Sequence, residues 1–165
     1  MKKLILIRHA KSSWSNFSLN DIDRPLNKRG KRDAPFMAKL LKERNIIPDL
    51  LISSPAKRAF STAKFFAEEF NYPKEKIAIK QSIYESSVTD FLYILKEIED
   101  AKQVVFLFGH NPAITLFTAF LSGRDPGNIP TCGIAGLDLL VESWSDLNEK
   151  RCELKFYEYP KMYSI

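Results

Sequence analysis

Histidine and cysteine are scarce in this chain of 165 residues, at two apiece. Cys132 and Cys152 lack CxxC spacing and have too few histidine neighbours for a zinc set, so both read as reduced packing residues. No uninterrupted apolar run approaches the ~20 residues that cross a bilayer. The amino-terminal apolar stretch ends at Arg8-His9 before a signal-peptide core can form. The expectation is therefore no membrane association, no metal and a cytoplasmic location. Internal repeats and low-complexity tracts are missing too. A composition of 45% hydrophobic and 27% charged residues, with six glycines and nine prolines, excludes disordered, collagen-like and disulfide-dense classes.

What remains is an ordinary globular composition, and the length predicts one domain over residues 1–165. A net charge of +5 favours an anionic partner without deciding function. No recognisable nucleic-acid motif or basic–aromatic stripe accompanies that charge, so no nucleic-acid partner is expected.

The chain is organised around Leu4-Ile5-Leu6-Ile7-Arg8-His9, an apolar run that stops on a cation and a titratable ring. It reads as a buried strand whose carboxyl end opens into a polar crevice. Residues 11–27 form a loop. Ala34, Met37, Ala38 and Leu41 then recur at helical spacing from about Arg32 to Arg44. Pro35 demands either that the helix start just before it or that the helix bend there. The basic side chains between Lys28 and Arg44 make a solvated face or a docking face for an acidic partner.

A second apolar run, Asp49–Ser53, is followed by Ser54-Pro55, which predicts an immediate helix running to about Phe70. Ile77–Ile79 is a short strand, and Ser87-Val88-Thr89-Asp90 has capping-box form before another helix. Val104–Phe108 is the most strand-like run. Gly109-His110-Asn111-Pro112 repeats the cap-plus-proline signal, and the helix after it reaches Gly123. Ile134–Val141 and Cys152–Tyr159 are predicted to pair antiparallel.

Strands alternating with helices predict a three-layer α/β/α fold with a mainly parallel central sheet, helices on both faces and an antiparallel carboxyl-terminal strand pair. Polar residues that follow successive parallel strands converge on one sheet edge. Arg8, His9, Arg58 and His110 should therefore share a crevice, with helix amino termini aimed into it, a setting suited to a phosphate-sized anion.

Four ordered blocks add specificity: Arg8-His9, Asp23-Arg24-Pro25-Leu26 with Arg29-Gly30, the Ser-Pro-x-x-Arg-Ala-x-x-Thr-Ala run from Ser54 to Ala63, and Gly109-His110. With these the chain resembles the histidine phosphatase superfamily (branch 1), and within it the SixA-type phosphohistidine phosphatases. The resemblance implies a phosphoglycerate-mutase-like fold and a metal-independent phosphatase without cofactor. In that reading His9 is the nucleophile that becomes a phosphohistidine, while Arg8, Arg58 and His110 surround the phosphoryl oxygens. Glu85 is the candidate general acid for ester substrates. Arg24 and Asn111 are candidate substrate contacts, Asp23 orients an arginine or forms a plain loop ion pair, and Thr62 holds the Arg58 guanidinium or caps local backbone. Ala10 stands where the superfamily usually has glycine, which predicts strain if the position needs positive φ.

The expected substrate is a phosphohistidine-bearing protein or a small phosphorylated molecule, and the expected state is a monomer. Three alternatives accompany this reading: a phosphatase of small phosphate esters, a mutase-like transferase, and a noncatalytic phosphate-recognition module.

Overall fold

The computed structural model describes residues 1–163. Its core is a six-stranded sheet built from β1 (Lys2–Arg8), β2 (Leu50–Ser53), β3 (Ala78–Ile79), β4 (Val104–Gly109), β5 (Ile134–Leu139) and β6 (Cys152–Glu158), in the order β3-β2-β4-β1-β5-β6. The pairs β3–β2, β2–β4 and β4–β1 are parallel; β1–β5 and β5–β6 are antiparallel. The predicted carboxyl-terminal pair is thus present, and it closes the sheet beside the opening strand.

β1 explains why a continuous apolar run was needed. Leu4 and Leu6 enter one core, and Ile5 and Ile7 the other, all with no exposed surface. Burying both faces of one strand contributes about 1.5–3 kcal/mol per large apolar side chain. Helices α1 (Lys28–Glu43) and α2 (Lys57–Glu69) cover the Ile5/Ile7 face through Met37, Leu41, Phe66 and their neighbours. On the Leu4/Leu6 face, α3 (Val88–Lys96) and α4 (Ala113–Ser122) contribute Phe91, Leu95, Phe117 and Leu121. The three-layer expectation holds. No helix among the described residues is long and apolar enough to cross a membrane.

Local signals set most helix boundaries, with two shifts. The Ser87/Asp90 capping box forms as predicted, and Gly123 ends α4 at φ 72°. α1 starts at Lys28, earlier than the apolar period suggested, because the Asn27 side chain accepts the Gly30 N–H. Pro35 consequently lies inside the helix, not in its first turn. Gly30 is required there for another reason: a Cβ would stand 2.2 Å from the Lys11 carbonyl oxygen, so only glycine lets α1 approach the loop after β1. α2 begins at Lys57 and not at Pro55. The Ser54 hydroxyl takes the Ala56 N–H in a short turn and is held out of the helix.

Candidate active site

Sheet register brings the two histidines together. Arg8 is paired with Gly109 across the β1–β4 ladder, so His9 and His110 leave adjacent strand ends side by side. The His9 N–H donates to the Gly109 carbonyl at 3.0 Å, and the ring centroids lie 5.2 Å apart. This edge lies where the parallel strands give way to the antiparallel pair, outside their carboxyl ends, the usual place for a ligand in an open α/β sheet.

His9 is 7% exposed, and its Nδ1 lies 2.7 Å from the Ala10 carbonyl oxygen. A carbonyl only accepts, so Nδ1 carries the hydrogen and the Nε2 lone pair is free. Burial pushes the His9 pKa down to about 3; the Ala10 carbonyl opposes that shift, and His110, Arg58 and Arg8 reinforce it. The ring is therefore neutral at pH 7, in the tautomer a nucleophile needs. Ala10 is outside the left-handed region, so the strain expected of alanine at this position does not arise. Its N–H donates to Thr62 Oγ1 at 3.0 Å, and the Thr62 hydroxyl donates to the Arg58 carbonyl at 2.7 Å. Thr62 thus ties the His9 loop to α2 rather than gripping the Arg58 guanidinium.

The cations are arranged around this ring. Arg8 donates from Nη1 to the Ile129 carbonyl at 2.9 Å, while its buried Nε has no protein partner. Burial and the nearby Arg58 guanidinium lower the Arg8 pKa, the signature of like charges held together for an anion to neutralise. Arg58, 7% exposed, is clamped by Asp21 alone among the described residues: Nη1 donates to its backbone carbonyl at 2.7 Å and Nη2 to its carboxylate at 3.0 Å. His110 pairs Nε2 with Ser54 Oγ at 2.8 Å. Its pKa falls to about 4 through burial and the Arg58 and Arg8 charges, against the opposing pull of Asp21.

Asp21 was not singled out in the sequence, and it is the hub of the crevice. It lies in a 3₁₀ turn over Asp21–Asp23 and binds Arg58, Arg24 (2.9 Å) and the Tyr84 hydroxyl (2.6 Å). The Tyr84 hydrogen bond, then those from Arg58 and Arg24, hold its carboxyl well below the usual carboxylate range. Asp23, expected to orient an arginine or form a loop ion pair, is exposed and makes no side-chain hydrogen bond or ion pair among the described residues; Asp21 takes that place. Tyr84 was likewise missed. Its ring meets His110 edge-on at 5.7 Å.

The remaining candidates stand at the margin. Arg24 is 7% exposed and committed to Asp21, Ser12 and the Ser13 carbonyl, with Trp14 stacked on its guanidinium. Asn111 donates to Asn128 Oδ1 and the Ile129 carbonyl and accepts from Thr115, tying the start of α4 to the segment that receives Arg8. Glu85 follows Tyr84 on an exposed turn at φ 57°. Cys132 and Cys152 are buried and free, with thiol pKa values pushed up by burial, as expected of packing residues.

Two guanidinium groups and two neutral imidazoles facing one crevice have the chemistry to hold a phosphoryl group. The sequence profile of the histidine phosphatase superfamily (branch 1) matches residues 4–91. An uncharacterized chloroplastic protein of Arabidopsis thaliana is 31% identical over 153 residues, 88% of this chain and 70% of that protein. A 2,3-bisphosphoglycerate-dependent phosphoglycerate mutase of Bifidobacterium longum is 40% identical over 63 residues, 37% of this chain but only 26% of the mutase. Among solved structures, a chain from Agrobacterium tumefaciens assigned to the phosphohistidine phosphatases SixA has a TM-score of 0.83 and 29% identity, covering 96% of this chain and 98% of that one. A protein histidine phosphatase SixA complexed with tungstate shares the fold at a TM-score of 0.84 with 20% identity, over 98% and 99% of the two chains. The chain is a SixA-like phosphatase and belongs to the histidine phosphatase superfamily (branch 1).

Proposed function

We propose that this protein, acting as one domain over residues 1–165, removes the phosphoryl group from phosphohistidine in a protein by way of a covalent intermediate on His9 Nε2. The observation that carries the reading is the Nδ1–H bond from His9 to the Ala10 carbonyl, which aims a neutral Nε2 lone pair into a crevice lined by Arg8, Arg58 and His110.

In the first step Nε2 attacks phosphorus and the P–N bond to the substrate ring breaks. A substrate imidazole protonated on its other nitrogen departs neutral, so no protein acid is required. Arg8, Arg58 and His110 hold the phosphoryl oxygens as charge redistributes in line. In the second step water attacks phosphorus, the P–Nε2 bond breaks and orthophosphate leaves. Because Ala10 keeps the proton on Nδ1 throughout, His9 also departs as a neutral ring. Arg24 and Asn111 act in this scheme through their neighbours, positioning Asp21 and the Ile129 segment respectively.

A protein substrate is favoured by the openness of the crevice. Between α2 and α3 the chain has only residues 70–87, holding two short 3₁₀ turns and the two-residue β3, with nothing long enough to enclose a small molecule. Labelling with phosphoramidate tests the scheme. Wild type should acquire an acid-labile phosphoryl group, and His9→Ala should neither label nor turn over. Label retained by His9→Ala would refute the nucleophile, and turnover of phosphoserine or a sugar phosphate above free phosphohistidine would refute the substrate.

A further inference from the structure

α2 presents different faces to different tasks. Arg58 and Thr62 face the crevice and its supporting loop, and Ala63, Phe66 and Ala67 face the core. The stripe Lys57, Ser61, Lys64, Phe65 and Glu68, at helical spacing, lines a groove of about 350 Å³ that the mechanism does not use. Lys31 of α1, Lys74 and the apolar pair Pro25-Leu26 complete its walls.

The charge there is one-sided. Four lysines stand against the single Glu68, a local excess of three positive charges in a chain whose whole excess is five. Among the described residues none of these lysines forms an ion pair. The nearby arginines of the basic run do: Arg29 and Arg32 with Asp33, and Arg44 with Glu158. The groove and the crevice draw on neighbouring residues of the chain: Lys57 precedes Arg58 and Pro25 follows Arg24.

We infer that this groove docks an acidic segment of the phosphorylated protein, its carboxylates meeting the lysine heads and an apolar side chain resting on Pro25 and Phe65. This rests on the protein-phosphohistidine reading above. Unpaired lysines attract carboxylates at close range and steer encounter, while the apolar floor favours a peptide over a bare anion.

Two synthetic peptides test it, each phosphorylated on a single histidine with phosphoramidate. One is flanked on both sides by glutamates four to eight residues away, the other by glutamines at the same positions; free phosphohistidine is the small control. Wild type should turn over the glutamate peptide with a kcat/KM at least tenfold higher, mainly through KM, and the preference should shrink with added salt. In Lys57→Glu/Lys64→Glu the preference should vanish while free phosphohistidine turns over as before. Turnover of free phosphohistidine with no peptide preference, or a preference that survives in the double variant, overturns the groove alone. A wild type inactive on free phosphohistidine and on both peptides overturns the parent reading and this inference with it. Stronger inhibition of peptide turnover by an oligothymidylate than by an unphosphorylated glutamate peptide assigns the groove to nucleic acid and overturns it as well.

Discussion

Asp21 holds Arg58 twice, through its backbone carbonyl at 2.7 Å and through its carboxylate at 3.0 Å. The same carboxylate takes the Tyr84 hydroxyl, so one side chain fixes a guanidinium of the crevice and the tyrosine that abuts His110. Asp21 is a positioning residue, and its effect has a sign that a purely structural role would lack.

In Asp21→Asn the crevice loses a negative charge while Arg58 loses its charged anchor. The remaining cations attract anions more strongly, but the guanidinium is less well placed. The expected result is a kcat lower by about 10–100-fold, as for a misplacement on the order of 1 Å, with Ki for orthophosphate unchanged or lower. A parallel rise in Ki and fall in kcat would assign Asp21 to ground-state binding instead.

Thr62→Val tests the strap behind His9. The substitution is close to isosteric, but it strips the buried Ala10 N–H of its acceptor and the Arg58 carbonyl of its donor. An unpaired buried donor costs about 1–3 kcal/mol, to be read from urea unfolding. Turnover should fall further than stability explains, because the Ala10 carbonyl that orients His9 belongs to the same loop. Thr62→Ser keeps the hydroxyl and should restore turnover; failure of that rescue would show the methyl group to matter more than the hydrogen bonds.

The parts of the site that reside on regular strands were legible in the sequence. Arg8-His9 and His110 follow apolar runs, and parallel pairing in register makes their adjacency a geometric consequence. Arg58 was legible from the four blocks taken together. Asp21 was not, because it sits in a 3₁₀ turn after an aperiodic loop, where neither spacing nor hydropathy constrains side-chain direction. Asp23, read as orienting an arginine or forming a loop ion pair, does neither among the described residues, because two positions along such a turn point a side chain in a different direction. Tyr84 was hidden similarly, as an aromatic ring in a loop reads as surface. Ser54 does not cap α2 as predicted but takes the Ala56 N–H in the turn before it, and its contact with His110 depends on β4 lying beside β2.

The two histidines predict a specific loss of stability in mild acid. Their folded pKa values of about 3 and about 4 lie below the ordinary 6.5, so the unfolded chain binds more protons across that interval. Their contribution is fully present above pH 6.5 and declines as pH falls towards the folded values. At pH 5 the decline amounts to about 2 kcal/mol for each ring. Denaturant unfolding at pH 7 and pH 5 should show it, with roughly half the difference gone in His9→Asn. With only two histidines in the chain, ring nitrogen shifts can be assigned directly. His9 should remain the Nδ1–H tautomer down to pH 5, and a midpoint near 6.5 for either ring would contradict the buried, cation-crowded crevice.

Replacing Glu85 tests whether P–N and P–O substrates differ in their need for an acid. An alkoxide leaving group needs a proton, and a positioned acid supplies about 10²–10⁴-fold, whereas a protonated phosphoimidazole needs none. Glu85 is exposed and follows Tyr84, which reaches the crevice through Asp21 and His110. Glu85→Gln should therefore leave kcat/KM on free phosphohistidine within about twofold and depress p-nitrophenyl phosphate turnover little, since that phenolate leaves readily, while abolishing most turnover of an alkyl phosphate. The graded response distinguishes an acid from a structural turn residue. Equal losses on all three substrates would point to the turn at φ 57° and its hold on Tyr84, and no loss on any would remove Glu85 from the reaction.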